Sequence, residues 1–125
     1  MRIVVSMGSS TPIYEQIKTQ ARSSILSGEV EPGQTLPSLR QLAADLRVSV
    51  ITVTRAYNDL AAEGLVQSQH GRGFVVCEVD AHTASSALRD QVDGLLRELY
   101  AAAQHARLTP AEIHQRLEEI WNDHD

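Results

Sequence analysis

The sequence predicts a mainly α fold with a small β-hairpin: a winged helix-turn-helix followed by a two-helix dimerisation tail. Three observations predict it. Within Leu36–Val76, two helical patterns are separated by the short turn Arg47-Val48, and their apolar residues recur at i, i+3, i+4 and i+7. Two short β-patterns follow, Leu65–Gln69 and Phe74–Val76, around His70-Gly71-Arg72-Gly73. Beyond Cys77 the composition shifts, and two further amphipathic helical patterns fill an acidic remainder. The expected division is residues 1–78 and 79–125.

Taken in order, Arg2-Ile3-Val4-Val5 suggests a short strand and Gly8-Ser9-Ser10 a turn. Thr11 is placed to cap the next helix with Pro12 at its first position, where a missing N–H costs nothing. Ile13, Ile17, Ala21 and Ile25 mark its inward face, and Gly28 closes it. Glu31-Pro32-Gly33-Gln34 is a turn, with φ fixed at Pro and free at Gly. Ser38 caps the next helix, and Gln41 three residues on predicts a capping box; Leu39, Leu42, Ala43 and Leu46 share one face. Ser49 caps a helix running to Glu63, with Val53, Ala56, Tyr57 and Leu60 inward and Gly64 as a left-handed stop.

In the tail, Asp80 to Ser86 is small and polar and reads as a hinge. Leu88, Val92, Leu95, Leu96, Leu99 and Ala103 keep helical spacing over residues 84–105, although Gly94 weakens that helix by roughly 1 kcal/mol relative to Ala. Thr109-Pro110-Ala111-Glu112 is a capping box with Pro at the first helical position, and Ile113, Leu117, Ile120 and Trp121 follow on one face. Two helices make no core alone. Their stripes call for cover, either from the winged helix or from a second copy of the chain.

The chain carries a net charge of −5, which at first disfavours a polyanionic partner. The distribution reverses that reading: residues 1–77 hold seven Lys/Arg against six Asp/Glu, and residues 78–125 hold four against ten. A near-neutral domain binds DNA when its few arginines face one way. On the outward side of the Ser49–Glu63 helix lie Ile51, Thr54, Arg55 and Asn58, with Val50 at the edge. That start is uncharged, and its backbone N–H groups and positive dipole end favour a phosphate. An αα-hairpin packed for stability alone, or a winged helix used as a protein-interaction scaffold, stays open on this pattern. An enzyme would need convergent groups, and His70, His82, His105, His114 and His124 are scattered without metal-ligand spacing, so no metal and no cofactor are expected. Cys77 is the single cysteine and allows no internal disulfide. With no stretch resembling a signal peptide or membrane span, a cytoplasmic location is expected.

These residues resemble the DNA-binding domain of GntR-family bacterial transcription regulators. The family pattern is matched, without a gap, by Leu36, Pro37, Ser38, Arg40, Leu42 and Ala43, by Val48, Ser49, Thr52, Val53, Ala56 and Leu60, by Glu63–Val66, and by Gly71 and Gly73. The run Thr11–Ile17 is similar to the opening helix of the same family. The resemblance implies a homodimer that binds double-stranded operator DNA, and a small-molecule effector of unspecified identity is compatible with it. It places Ser38, Arg40, Ser49, Val50, Ile51, Thr52, Thr54 and Arg55 at DNA-facing positions, with Arg40 a base contact and Arg55 nearer a phosphate. His70, Gly71 and Arg72 form the wing, from which Arg72 would enter a minor groove. Many members carry Arg where this chain has Val50 and Thr54; Val50, Ile51 and the Thr methyls would here lie against thymine methyls. The short tail resembles that of the YtrA subfamily, which implies a dimeric repressor, often of a transporter operon, with Leu88, Val92, Leu95, Leu96, Leu99, Ile113, Leu117, Ile120 and Trp121 at the dimer interface.

Overall fold

The computed structural model describes residues 1–124. Its elements run α1 (Ile13–Leu26), α2 (Leu39–Leu46), α3 (Val50–Ala62), β1 (Val66–Gln69), β2 (Gly73–Val76), α4 (Ala81–Ala106) and α5 (Pro110–His124). The fold is mainly helical with one two-stranded antiparallel sheet, as expected. Two compact units result, Met1–Leu88 and a second beginning at Arg89.

The core of the first unit is built from the stripes that the periodicity marks. Ile17, Ala21 and Ile25 of α1, Leu42 and Ala43 of α2, and Val53, Ala56, Tyr57 and Leu60 of α3 are all buried in one cluster, closed by Leu65, Val66 and Val76 of the hairpin. Ile13, Leu39 and Leu46 pack half-buried against it. Burying one such aliphatic or aromatic side chain contributes about 1.5–3 kcal/mol, and this sets the crossing of the three helices. Two ion pairs also tie α1 to α3: Arg22 grips Glu63 through two bonds of 2.9 and 2.7 Å, and Lys18 Nζ lies 3.4 Å from Asp59 Oδ2.

The turn between α2 and α3 is tight because Arg47 takes a left-handed conformation (φ 58°). Val48 N–H then reaches back to the Ala43 carbonyl at 3.0 Å, and Arg47 N–H to that of Ala44 at 3.3 Å. At the far end of α3, Gly64 is left-handed at φ 80°, a conformation a side chain would oppose. The hairpin register pairs Val66 with Val76 and Gln69 with Gly73.

Several local expectations change in the structure. Residues 2–5 form no strand; the backbone of this stretch is met by side chains of α1. Gln20 bonds both the N–H and the carbonyl of Val4 (2.9 and 2.7 Å), and Gln16 does the same at Ser6 (2.8 and 3.0 Å). A primary amide carries the same donor and acceptor as a peptide, so two glutamines on α1 substitute for a neighbouring strand. Helix α1 starts one residue later than expected, with Pro12 as the cap, because Pro12 is extended at ψ 147°. Thr11 therefore does not cap; its N–H goes to Ser9 Oγ. The capping box at α2 is half-formed: Ser38 Oγ accepts the Gln41 N–H at 3.1 Å, but the Gln41 amide turns to Asp45 at 2.8 Å.

The stretch expected as a hinge is helix from Ala81 on, with Asp80 as its cap. Asp80 Oδ2 accepts the Thr83 N–H at 3.1 Å, so a strong capping residue starts α4 ahead of the first apolar position. Residues 33–36 add an unexpected edge to the sheet. Gly33 N–H and Leu36 N–H donate to Val76 and Phe74, and Val76 N–H donates to Gln34, at 2.8, 2.9 and 2.8 Å.

In the second unit, α4 ends at a second left-handed arginine, Arg107 (φ 57°), with Leu108 N–H returning to the Ala103 carbonyl at 3.0 Å. The capping box of α5 is complete: Thr109 N–H donates to Glu112 Oε1, and Glu112 N–H to Thr109 Oγ1, both at 3.2 Å. Ala103 is buried, whereas Val92, Leu95, Leu96, Leu99, Tyr100, Leu117, Ile120 and Trp121 are 40–67% exposed. Leu88 and Ile113 are half-buried.

Candidate nucleic-acid interface

The second helix of the pair, α3, presents its N-terminal end to solvent. Ser49 Oγ accepts the Thr52 N–H at 3.1 Å and lies 2.7 Å from Thr52 Oγ1, so both hydroxyls belong to the cap. Thr54 Oγ1 donates to the Val50 carbonyl at 2.8 Å. Ser49, Val50, Ile51 and Arg55 are exposed; Thr52 and Thr54 are half-buried. The guanidinium of Arg55 lies over the Tyr14 ring, 3.6 Å from its centroid, which holds a long cation at the α1–α3 edge.

The start of α2 and the wing come together although they are far apart in sequence. Ser38, Arg40, Arg72 and Phe74 line one open cleft of about 420 Å³. Two hydrogen bonds and one ring contact hold this geometry. The buried Tyr57 hydroxyl donates to the Pro37 carbonyl at 2.9 Å, directly before Ser38. Its ring meets Phe74 edge-on at 5.2 Å, on the wing side. Arg72 donates through Nη2 to the Gly33 carbonyl at 3.0 Å, so the wing cation is folded onto the edge segment. At the tip, Arg72 N–H closes the turn onto the Gln69 carbonyl at 3.1 Å, with Gly71 left-handed at φ 80° and His70 exposed.

The cations divide into two sets. Lys18 and Arg22 are engaged by Glu15, Asp59 and Glu63 on the α1–α3 side; the Glu15 hydrogen bond, with help from Asp59, holds the Lys18 ammonium above its usual pKa. Arg40 and Arg47 are exposed and make no ion pair among the described residues. Sequence reasoning overlooked Tyr14 and Tyr57 as partners of this surface. Tyr14 and Arg55 are distant in sequence, and no local pattern pairs them. The left-handed Arg47 was readable only as part of a short turn. Among the described residues no group of His, Cys, Asp and Glu is arranged to hold a metal ion.

Residues 13–76 match the family described as bacterial regulatory proteins, gntR family. The HTH-type transcriptional repressor YtrA of Bacillus subtilis (strain 168) is 34% identical over 121 residues, spanning 97% of this chain and 93% of that protein. The chain belongs to the GntR family. Its fold agrees with solved members: YtrA from Sulfolobus acidocaldarius, a GntR-family transcription factor, superposes with a TM-score of 0.56 at 32% identity over 98% of this chain and 97% of that one. The DNA-binding domain of AraR, solved in complex with an operator, superposes at 0.55 with 30% identity, over 62% of this chain and 96% of that one. As a GntR protein the chain is a DNA-binding, helix-turn-helix transcription regulator, and the family works without catalysing a reaction. No helix of this GntR protein, among the described residues, is long and apolar enough to cross a membrane.

Proposed function

We propose that the chain is a transcriptional repressor that binds an inverted-repeat operator as a homodimer, with residues 1–78 reading DNA and residues 79–125 joining the two copies. The observation that carries the DNA-reading part is the convergence of Ser38, Arg40 and Arg72 on one cleft, beside an exposed α3 start capped by Ser49. On this reading Arg40 contacts a base edge, and Ser49 and Arg55 hold phosphates. Arg72, with His70 and Gly71, follows the backbone into a minor groove. The homodimer is supported by the exposed apolar residues of α4 and α5, since so many large apolar side chains on two helices call for cover. A two-fold dimer presents two α3 helices to half-sites about 34 Å apart or a multiple of it. Repression is supported by the description of the Bacillus relative as a repressor. A cytoplasmic location goes with this role, and control of a transporter operon and response to a small-molecule effector complete the proposal.

The test is a gel shift of the full chain on the DNA upstream of its own gene, followed by footprinting. A symmetric protected repeat, bound far more tightly than its scrambled sequence, is the expected result. Equal binding to both duplexes would leave a winged-helix scaffold without specific DNA recognition.

A further inference from the structure

The exposed end of α3 offers apolar groups to whatever it meets. Ile51 is 82% exposed and Val50 42%. The hydroxyls beside them are largely consumed by the helix itself. Thr54 Oγ1 commits its proton to the Val50 carbonyl at 2.8 Å, so toward a base it has no proton to donate and presents its methyl and an oxygen that only accepts. Ser49 and Thr52 share one hydroxyl hydrogen bond at 2.7 Å. One free proton remains on that pair, at the helix start, where it suits a phosphate oxygen. Arg55 is drawn aside onto Tyr14 at 3.6 Å. Asn58, exposed two turns beyond Ile51, is the nearest free amide on this face. The first turn of α3 therefore presents mainly methyl groups to a base edge and has few free donors with which to read a polar one.

In a major groove, base edges carry hydrogen-bonding groups with one exception, the methyl on C5 of a pyrimidine. An isoleucine pressed against a polar edge would strip its water and return no bond. Pressed against a C5 methyl, both partners lose apolar surface to water. We propose that α3 reads C5-methylated pyrimidines through Ile51, flanked by Val50 and Thr54. Thymine always carries that methyl, and cytosine carries it only when modified. The inference rests on the DNA-binding reading above, and it makes occupancy of a site with cytosine at the contacted position dependent on cytosine methylation.

The experiment uses the full chain and the tightest duplex recovered by in vitro selection from random DNA. Each thymine of one half-site is replaced by deoxyuridine, which removes only the C5 methyl. At the contacted position the expected loss is about three- to fivefold in affinity per methyl. At that position a 5-methylcytosine·guanine pair should bind more tightly than cytosine·guanine by a similar factor. Ile51→Ala, whose fold is checked by circular dichroism, should abolish both differences, since an exposed side chain contributes little to the core. Equal binding of thymine and deoxyuridine at every position would overturn the proposal, as would an Ile51→Ala chain that still discriminates. Thymine above deoxyuridine with no effect of cytosine methylation would restrict the readout to thymine and overturn the C5-methyl class. Failure to enrich any sequence is a distinct result and would sink the DNA-binding reading itself.

Discussion

The Tyr57 hydroxyl donates to the Pro37 carbonyl at 2.9 Å, linking the buried face of α3 to the residue that precedes Ser38 and Arg40. The same ring packs edge-on against Phe74 of the wing at 5.2 Å. One core side chain thus sets the spacing of α2, α3 and β2.

Tyr57→Phe should destabilise the chain by about 1–3 kcal/mol, because the Pro37 carbonyl is left without its donor. A pH dependence follows. Burial pushes the Tyr57 hydroxyl above its usual 10.0, so the unfolded chain releases this proton before the folded one does. The stability it contributes is complete below pH 10 and is lost as pH rises beyond it. Urea unfolding at pH 8 and pH 11 should show a smaller loss of stability in Tyr57→Phe than in the native chain. Equal losses would mean that the phenol does not titrate differently on folding.

Arg40→Ala and Arg72→Ala should separate in their effects. The first should cost roughly 1–3 kcal/mol on operator DNA and relax one base position, as expected of a base contact. The second should weaken operator and random DNA alike and lower the slope of log K against log salt by about one unit. Titrations on both duplexes at several salt concentrations decide. An equal loss on both duplexes for Arg40→Ala would make it a phosphate contact, and an unchanged slope for Arg72→Ala would keep the wing off the DNA.

Tyr14 should act on DNA binding through Arg55. A guanidinium already held over a ring at 3.6 Å loses less side-chain freedom when it meets a phosphate. Tyr14→Leu should lower affinity by about 0.5–1 kcal/mol, and Tyr14→Phe, which keeps the ring, should not. In an Arg55→Ala background the leucine substitution should add nothing. Additive losses would show that Tyr14 acts independently of Arg55.

If α4 and α5 join two copies as proposed, Leu96→Asp should leave monomers in sedimentation. Leu96 is 53% exposed in the single chain, so the change should leave the fold intact while placing a charge in the interface of each copy. Operator binding should fall far more than the loss of one half-site contact would produce. A mutant that remains dimeric would place the interface elsewhere.

Where period, capping and φ preference agreed, the local sequence determined the element. The stripe Val53-Ala56-Tyr57-Leu60, the caps Ser38, Ser49 and Thr109, the left-handed Gly64 and the glycine-flanked wing all follow from period, capping and φ preference, and the structure has each of them. Tertiary structure decided what depends on groups distant along the chain. Gln16 and Gln20 took the place of a strand beside residues 4–6, and residues 33–36 joined the wing edge. Arg55 settled on Tyr14, and Arg72 on Gly33. In each case a donor, acceptor or ring face was satisfied by a partner brought near only once α1, α3 and the hairpin had packed. No spacing rule reads such a pairing, because the distance between the partners is set by the core and not by the repeat of a helix or strand.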